Sequence, residues 1–322
     1  MRRYFLVILL LSFGVTQAHH AIDVAYDRNQ LSTVTGNVKS AFWRNPHVTF
    51  EVIDDAGLTW MIESGSINSL IRAGFDNTLI KNGDRVSFLG APSRIGLNSL
   101  AAFTVTIDGK VIPIWPQRAL EIGISVRDVA RESDSNLTSE RTDTIFKVWA
   151  RSQRFEKKIH ANQLATDLRS QWDPLSDDPA LLCMPPGMPS MMDNPYPIAF
   201  EDHDNYILMR LEEWDAQRVI WLIPGDAAIT DPKMGLSIGQ WNGSALTVTT
   251  TMINDRYFDD LGTPLGLNTK IVERFQPNEG HDVLMYAVTI DNPEYFESPA
   301  TFTGQWEWVP SEKINRYDCA LR

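Results

Sequence analysis

Hydrophobic and polar residues alternate with a period of two along most of this chain, broken by short turn-forming clusters, and that pattern predicts a mainly β protein. From Leu31, STVTGNVKSAFW reads as a strand with Gly36 inside it, a place where a strongly curved strand can bend. HVTFEVID alternates cleanly, Asp55-Ala56-Gly57 turns the chain, and LTWMIES returns. SINSLIRAGF switches to a helical pattern, with Ser66 as N-cap, Leu70 and Ile71 on the apolar face and Gly74 closing the C-terminal end. GDRVSFLGAPS and LAAFTVTI are two further strands, ending at the turn Asp108-Gly109. A helix between the third and fourth of a set of strands like these is the order of an OB-like five-stranded barrel.

The second half repeats the β pattern after a change in composition. Residues 127–143 are charged and rich in Ser and Thr, and read as a linker. TIFKVWARS is a short packing segment, and ANQLATDLRSQWDP predicts an amphipathic helix with Leu164, Leu168 and Trp172 on one face and Pro174 stopping it. From Tyr196 onward come about eight strands at meander spacing, with Asn242-Gly243 as a hairpin signal. The expectation is an antiparallel β-barrel, lipocalin-like, or a two-sheet sandwich. The predicted organisation is a signal peptide at 1–18, an OB-like β domain at 19–112, a linker with short helices at 113–178 and an antiparallel barrel domain at 179–322.

Charge and cysteines narrow the setting. Arg2 and Arg3 precede an apolar run from Tyr4 to Val15, and Thr16-Gln17-Ala18 offers small residues for cleavage, the three parts of a secretory signal. That run is shorter than the ~20 residues a spanning helix needs. No later segment is long and apolar enough either, so the expected product is periplasmic, with no transmembrane segment after cleavage. The chain has 41 acidic and 29 basic residues, and removing Arg2 and Arg3 leaves 27 basic residues and a net charge of −14. An acidic chain without a basic cluster is a poor partner for nucleic acid, whose phosphates are held by Lys and Arg. Cys183 and Cys319 form an even pair, read as one disulfide in an oxidising compartment. Closing so long a loop stabilises by about 4–5 kcal/mol in the ideal chain-entropy model. A two-thiol metal or redox site is the alternative, but the two are not in CxxC spacing.

Candidate chemistry is sparse. Gly235-Leu236-Ser237-Ile238-Gly239 matches G-x-S-x-G by letter, but a hairpin strand rather than a helix follows, so the match reads as structural. The acidic pairs Asp177-Asp178, Glu212-Glu213 and Asp259-Asp260 lack calcium-loop spacing and read as solvated surface or turns. Glu273-Arg274 reads as a pair inside the barrel. Cys183-Met184-Pro185-Pro186-Gly187-Met188-Pro189, with Met191 and Met192, has soft donors for Cu(I). A disulfide removes the thiolate, however, and leaves a stiff segment whose methionines plug one barrel end.

The histidines carry the sharper possibility. Cleavage after Ala18 gives His19 both an α-amine, with a pKa near 8, and an imidazole. With a second imidazole these make a three-nitrogen histidine brace whose planar geometry suits Cu(II). His47, in the Asn-Pro-His turn, is the expected partner, with His20 in reserve. His160, His203 and His281 lie in polar contexts that need no metal.

Two resemblances follow from longer motifs. AHH, TGNVKSAFWRNPHVTFEV, WMIESGSINSLIRAGF and LIKNGDRVSF resemble an uncharacterised secreted bacterial domain family over residues 19–112, with Ala21, Ile67 and Phe75 departing from its pattern. DPLSDDPALLCMPPGMPSMM, MGLSIGQWNGSALTVTT, GTPLGLNTKIVERF and YDC resemble a second secreted family of unknown function over residues 145–320. Leu265 stands where that family commonly has His, and Asn242-Gly243-Ser244 where it has Glu-Gly-Asp. The second resemblance implies pairing of Cys183 with Cys319. Neither brings an activity. The expected function is that of an exported binding or accessory protein, non-enzymatic, holding a small apolar ligand in its larger barrel or meeting a protein partner. The alternative is a copper-binding protein with its metal at His19, His20 and His47.

Overall fold

A computed structural model describes residues 25–124, 144–151, 154–173 and 176–320. The signal segment, His19, His20, Pro174 and the 127–143 linker all lie outside those residues.

The first barrel runs β1 (Ser32–Phe42), β2 (Thr49–Asp54), β3 (Thr59–Glu63), helix α1 (Ile67–Arg72), β4 (Arg85–Pro92) and β5 (Ser99–Ile107), with β6 (Lys110–Pro113) added on β5. The sheet order is β3-β2-β1-β4-β5-β6, and a parallel pairing of β3 with β5 closes five strands into an OB-like barrel. Alternating residues, among them Val34, Val38, Phe50, Val52, Ile62, Val86, Phe88 and Leu100, fill its interior. At Gly36, β1 pairs with both β2 and β4, and a Cβ there would fall 2.2 Å from the Ile53 carbonyl oxygen, so only glycine fits. Ser66 caps α1 through the Ser69 amide, and Gly74 follows the C-cap at φ +82°. Leu70 is buried as expected, whereas Ile71 faces water. Past β6, Trp115 and helix α2 (Pro116–Glu121) still belong to this unit, since Trp115 packs with Tyr26, Ala101 and Phe103.

The second barrel begins inside the stretch expected to be linker. Its strands are β7 (Val148–Arg151), β8 (Glu156–Ala161), β9 (Ile198–Asp202), β10 (Tyr206–Leu211), β11 (Ala216–Trp221), β12 (Leu236–Asn242), β13 (Ala245–Thr251), β14 (Lys270–Pro277), β15 (Val283–Asp291) and β16 (Phe296–Trp308). Nine of them close a ring through the β15–β16 pairing, so the fold is a lipocalin-like barrel rather than a sandwich. One neighbouring pair, β11 with β12, runs parallel; the others in the ring are antiparallel. The long β16 shares its outer edge between β7 and β8. Helix α3 (Gln163–Ser170) forms with Asn162 as its cap, but of its expected apolar face Leu164 and Leu168 are 51% and 39% exposed, while Trp172, past the helix end, is half-buried, and within the helix Ala165 packs inward.

The expected ligand space inside this barrel is occupied by side chains. Trp149, Phe200, Phe275, Tyr286 and Trp306 pack across it with ring centroids 5.1–6.3 Å apart where they meet. At its polar centre Arg218 donates to Ser237 (3.0 Å), Thr250 (2.6 Å) and both oxygens of Glu273, whose Oε1 also accepts from the Tyr286 hydroxyl at 2.9 Å. Glu273 therefore pairs with Arg218 and not with Arg274, because neighbours on a strand face opposite sides; Arg274 lies outside, donating to Gln276. Ser237 is consumed in the same network, which closes the G-x-S-x-G reading. Met188, Met191 and Met192 pack into the core as expected of a plug, while Met184 stays exposed.

If this interior is a packed pair and not a wet cavity, Arg218→Met leaves a buried carboxylate without its partner and costs about 3–5 kcal/mol. The double variant Arg218→Met/Glu273→Leu should regain most of that loss in urea unfolding. A loss below ~1 kcal/mol in the single variant would mean that water already compensates Glu273.

Candidate functional site

Where the barrels meet, an unexpected run of polar residues is buried. Glu212, at the end of β10, is fully buried and accepts four hydrogen bonds. Arg72 of α1 donates from Nη1 at 2.6 Å and from Nη2, Asn68 of α1 donates from Nδ2 at 2.9 Å, and the Asn315 amide donates at 2.8 Å. The first barrel thus places a cation on an anion of the second. Asn68 is held in turn by Asn45, whose Oδ1 accepts from the Ile67 amide.

The chain after β16 straps this contact. Glu312 accepts from Arg72 Nε at 2.9 Å, the Arg316 carbonyl from Asn68, and the Tyr317 amide donates to Asp215 at 3.0 Å. Cys319 bridges in parallel to Asn45 and forms the expected disulfide with Cys183, at a Cα–Cα distance of 5.8 Å. The bond ties the strap to the proline-rich segment that joins β8 to β9.

Beside this joint lies a cleft of about 650 Å³ with walls from both barrels. His47 and Trp115 come from the first barrel, with their rings 5.0 Å apart. Phe155, Trp172, Trp214 and Tyr257 come from the second, so aromatic rings share the lining with charged side chains. Trp172 lies against Gly262, where a Cβ would fall 2.2 Å from its ring; at φ +76° that position needs glycine on both counts. Arg151 and Lys157 reach the cleft but both pair with Asp193.

Glu213 is the least expected residue in the wall. It is 9% exposed, and its Oε2 is enclosed without a hydrogen-bond partner among the described residues. Burial first, then the charges of Asp260, Glu212 and Asp193, push its carboxyl up to about 8. Asp260, across the same cleft, is pushed up to about 7 by enclosure and by Asp259 and Asp193, with Lys157 opposing. Asp260 still meets water within the cleft, which softens its displacement; Glu213 has no such relief.

The acidic pairs are therefore not simply solvated, as the sequence suggested. Glu212 and Glu213 are both buried because β10 stops at Leu211 and the chain enters a tight turn, with Trp214 at φ +65° and Asp215 at φ +51°, instead of alternating as a strand. Asp178 is a buried cap for the turn Pro179–Leu182, and Asp259 closes its own loop through Leu261 and Thr263. No sequence signal marks Glu213; Trp214 beside an acidic pair is the nearest hint.

Of the expected ligands, His47 does reach the cleft, its Nδ1 donating to the Ser64 carbonyl at 2.8 Å and lying 3.7 Å from Glu63. Its relation to His19 and His20 falls outside the described residues. Among the described residues, no group of three or more His, Cys, Asp or Glu is gathered to hold a metal, and no helix is long and apolar enough to cross a membrane.

Residues 8–100 match the model of a family of unknown function, DUF6152. No curated protein matches the chain.

A raised carboxyl has a definite pH signature. The folded state holds the Glu213 proton more tightly than the unfolded chain, whose glutamate titrates near 4.5. Stability from this group is whole below that value, declines as pH rises, and is fully lost above about 8. Glu213→Gln, which cannot ionise, should match the native protein at pH 4 and exceed it at pH 9 in urea midpoint. Equal midpoints at both pH values would show that Glu213 is ionised and solvated throughout.

Proposed function

We propose that the protein is an exported binding or accessory protein, without an enzymatic role of its own, and that it takes a small ligand in the cleft between its barrels. The supporting observation is that both barrel interiors are packed with side chains while an aromatic-walled cleft of about 650 Å³ lies open at their joint. That volume is within the usual ~300–1,000 Å³ of small-molecule sites. Export to the periplasm rests on the leader at 1–18 and on a disulfide that needs an oxidising compartment.

The test is a ligand-observed NMR fragment screen on the processed protein, repeated on Trp172→Ala and Gly262→Ala. Fragments bound by the native protein should bind each variant at least ~10-fold more weakly, a change of about 1.4 kcal/mol. Fragments held equally by all three proteins would place the site elsewhere.

A second reading keeps copper. The Tyr26 hydroxyl donates to Glu63 at 3.1 Å, and Glu63 lies beside His47. The stretch from His19 to Tyr26 spans at most roughly 25 Å when extended, so a brace of His19, or His20, with His47 is within the reach of the chain. Cu(II) titration of protein whose mature terminus is verified by mass should show a sub-micromolar site that a leading Met-Gly extension abolishes. Affinity indifferent to that extension removes this reading.

A further inference from the structure

The cleft's aromatic walls suit many ligands, but its carboxyls do not. Glu213 Oε2 is an acceptor, on a residue more than nine-tenths enclosed, that no group among the described residues satisfies. Such an orphan is costly unless something donates to it. The cleft wall holds four bases, Arg118, Arg151, Arg154 and Lys157, against six acids, so carboxyls are in excess. Arg72 is spent on Glu212 and Glu312, and Arg151 and Lys157 on Asp193. Asp259 is tied into its loop by three hydrogen bonds, which leaves Asp260 as the acid of that pair that meets open space. Trp172 and Tyr257 stand edge to face at 6.4 Å in the same wall, and Trp214 is the neighbour of Glu213 in sequence.

Resting on the reading of the cleft as a ligand site, we propose that it takes an organic cation: a protonated primary or secondary amine carried on an apolar body, its N–H groups donating to Glu213 and Asp260 and its body lying against the Trp and Tyr faces. The cation meets the carboxyls of Glu213 and Asp260, and the aromatic rings attract it further. Its N–H groups donate to carboxyl oxygens of the wall, which a quaternary ammonium lacks the donor to do. A metal ion fits less well, since no three ligating side chains among the described residues are grouped to hold one. An anion would meet more acids than bases in the wall.

Amine binding requires the carboxyls to ionise, so it expels their protons. Asp260, Glu212, Asp193 and the hydroxyls of Tyr196 and Tyr317 act on Glu213; Asp259, Asp193, Asp178 and Lys157 act on Asp260; and Arg118, Arg151 and Arg154 line the same cleft. Of these, Asp260 itself gives up its proton within the same range, at about 7. Affinity for an amine therefore rises between pH 6 and pH 9.

Isothermal titration calorimetry with four probes of one skeleton tests this: 4-phenylbutylamine, 4-phenylbutanol, 4-phenylbutyrate and trimethyl(4-phenylbutyl)ammonium. The amine should bind at least ~10-fold tighter than the alcohol, about 1.4 kcal/mol, and tighter than the quaternary ion, with the carboxylate weakest. At pH 7 its heat should vary with the ionisation enthalpy of the buffer, reporting proton release. Glu213→Gln should remove most of the preference for the amine and leave the alcohol unchanged; Asp260→Asn, a change at a more open position, guards against a folding defect in the first. If alcohol and amine bind equally, or the carboxylate binds best, and Trp172→Ala weakens that binding, the cleft is a site but not one for cations. If none of the four binds at millimolar concentration, the cleft reading itself falls with this one.

Discussion

The ion pair between Arg72 and Glu212 is the contact on which the relation of the two barrels depends. Each barrel has its own packed interior and closes its own sheet, so neither needs the other to satisfy its backbone. What joins them is polar and buried, and such a contact is directional where apolar packing is not. Glu212 has its acceptor capacity filled by Arg72, Asn68 and Asn315, and losing any donor would strand part of a carboxylate out of water. The strap from Glu312 to Cys319 and its disulfide then limit how far the joint can open.

The cleft follows from that joint. Satisfying Glu212 leaves its neighbour Glu213 without a cation, in a wall that already contains Asp260 and Asp193. The turn after β10 sends Glu212 into the interface and places Glu213 and Trp214 in the cleft wall, at the cost of two residues in the left-handed region. Electrostatic demand and aromatic surface thus come from one four-residue turn, with Trp172 and Tyr257 supplied by segments that Gly262 and the Asp259 loop hold in place.

Much of the architecture was legible along the chain, because burial on one face of a strand writes itself as alternation. The strands of the first barrel, the Ser66 cap and the hairpin near Asn242 were all readable, and that turn centres one residue later than its signal, on Gly243 and Ser244. β7 and β8 were not, since four and six residues amid charged segments give too little alternation to register. Leu164 and Leu168 misled in the other direction: a helical period shows that one face is apolar, not that anything covers it. The site was almost wholly illegible. Its wall is assembled from residues more than a hundred positions apart, and Glu212 and Glu213 look like any solvated acidic pair until the partner barrel is in place. His47 reaches the cleft from a turn whose sequence suits a metal ligand, but nothing in that context points to Glu213.

The central claim is that one buried ion pair holds both barrels in a single arrangement and so creates the cleft. Pulsed electron-spin distance measurement between labels on Ile53→Cys and Met285→Cys, exposed positions on β2 and β15, reads that arrangement directly. The account predicts one narrow distance in the native background and a broad or shifted distribution when Arg72→Met is added, with each barrel still folded by circular dichroism. An unchanged narrow distance in the Arg72→Met protein would contradict it.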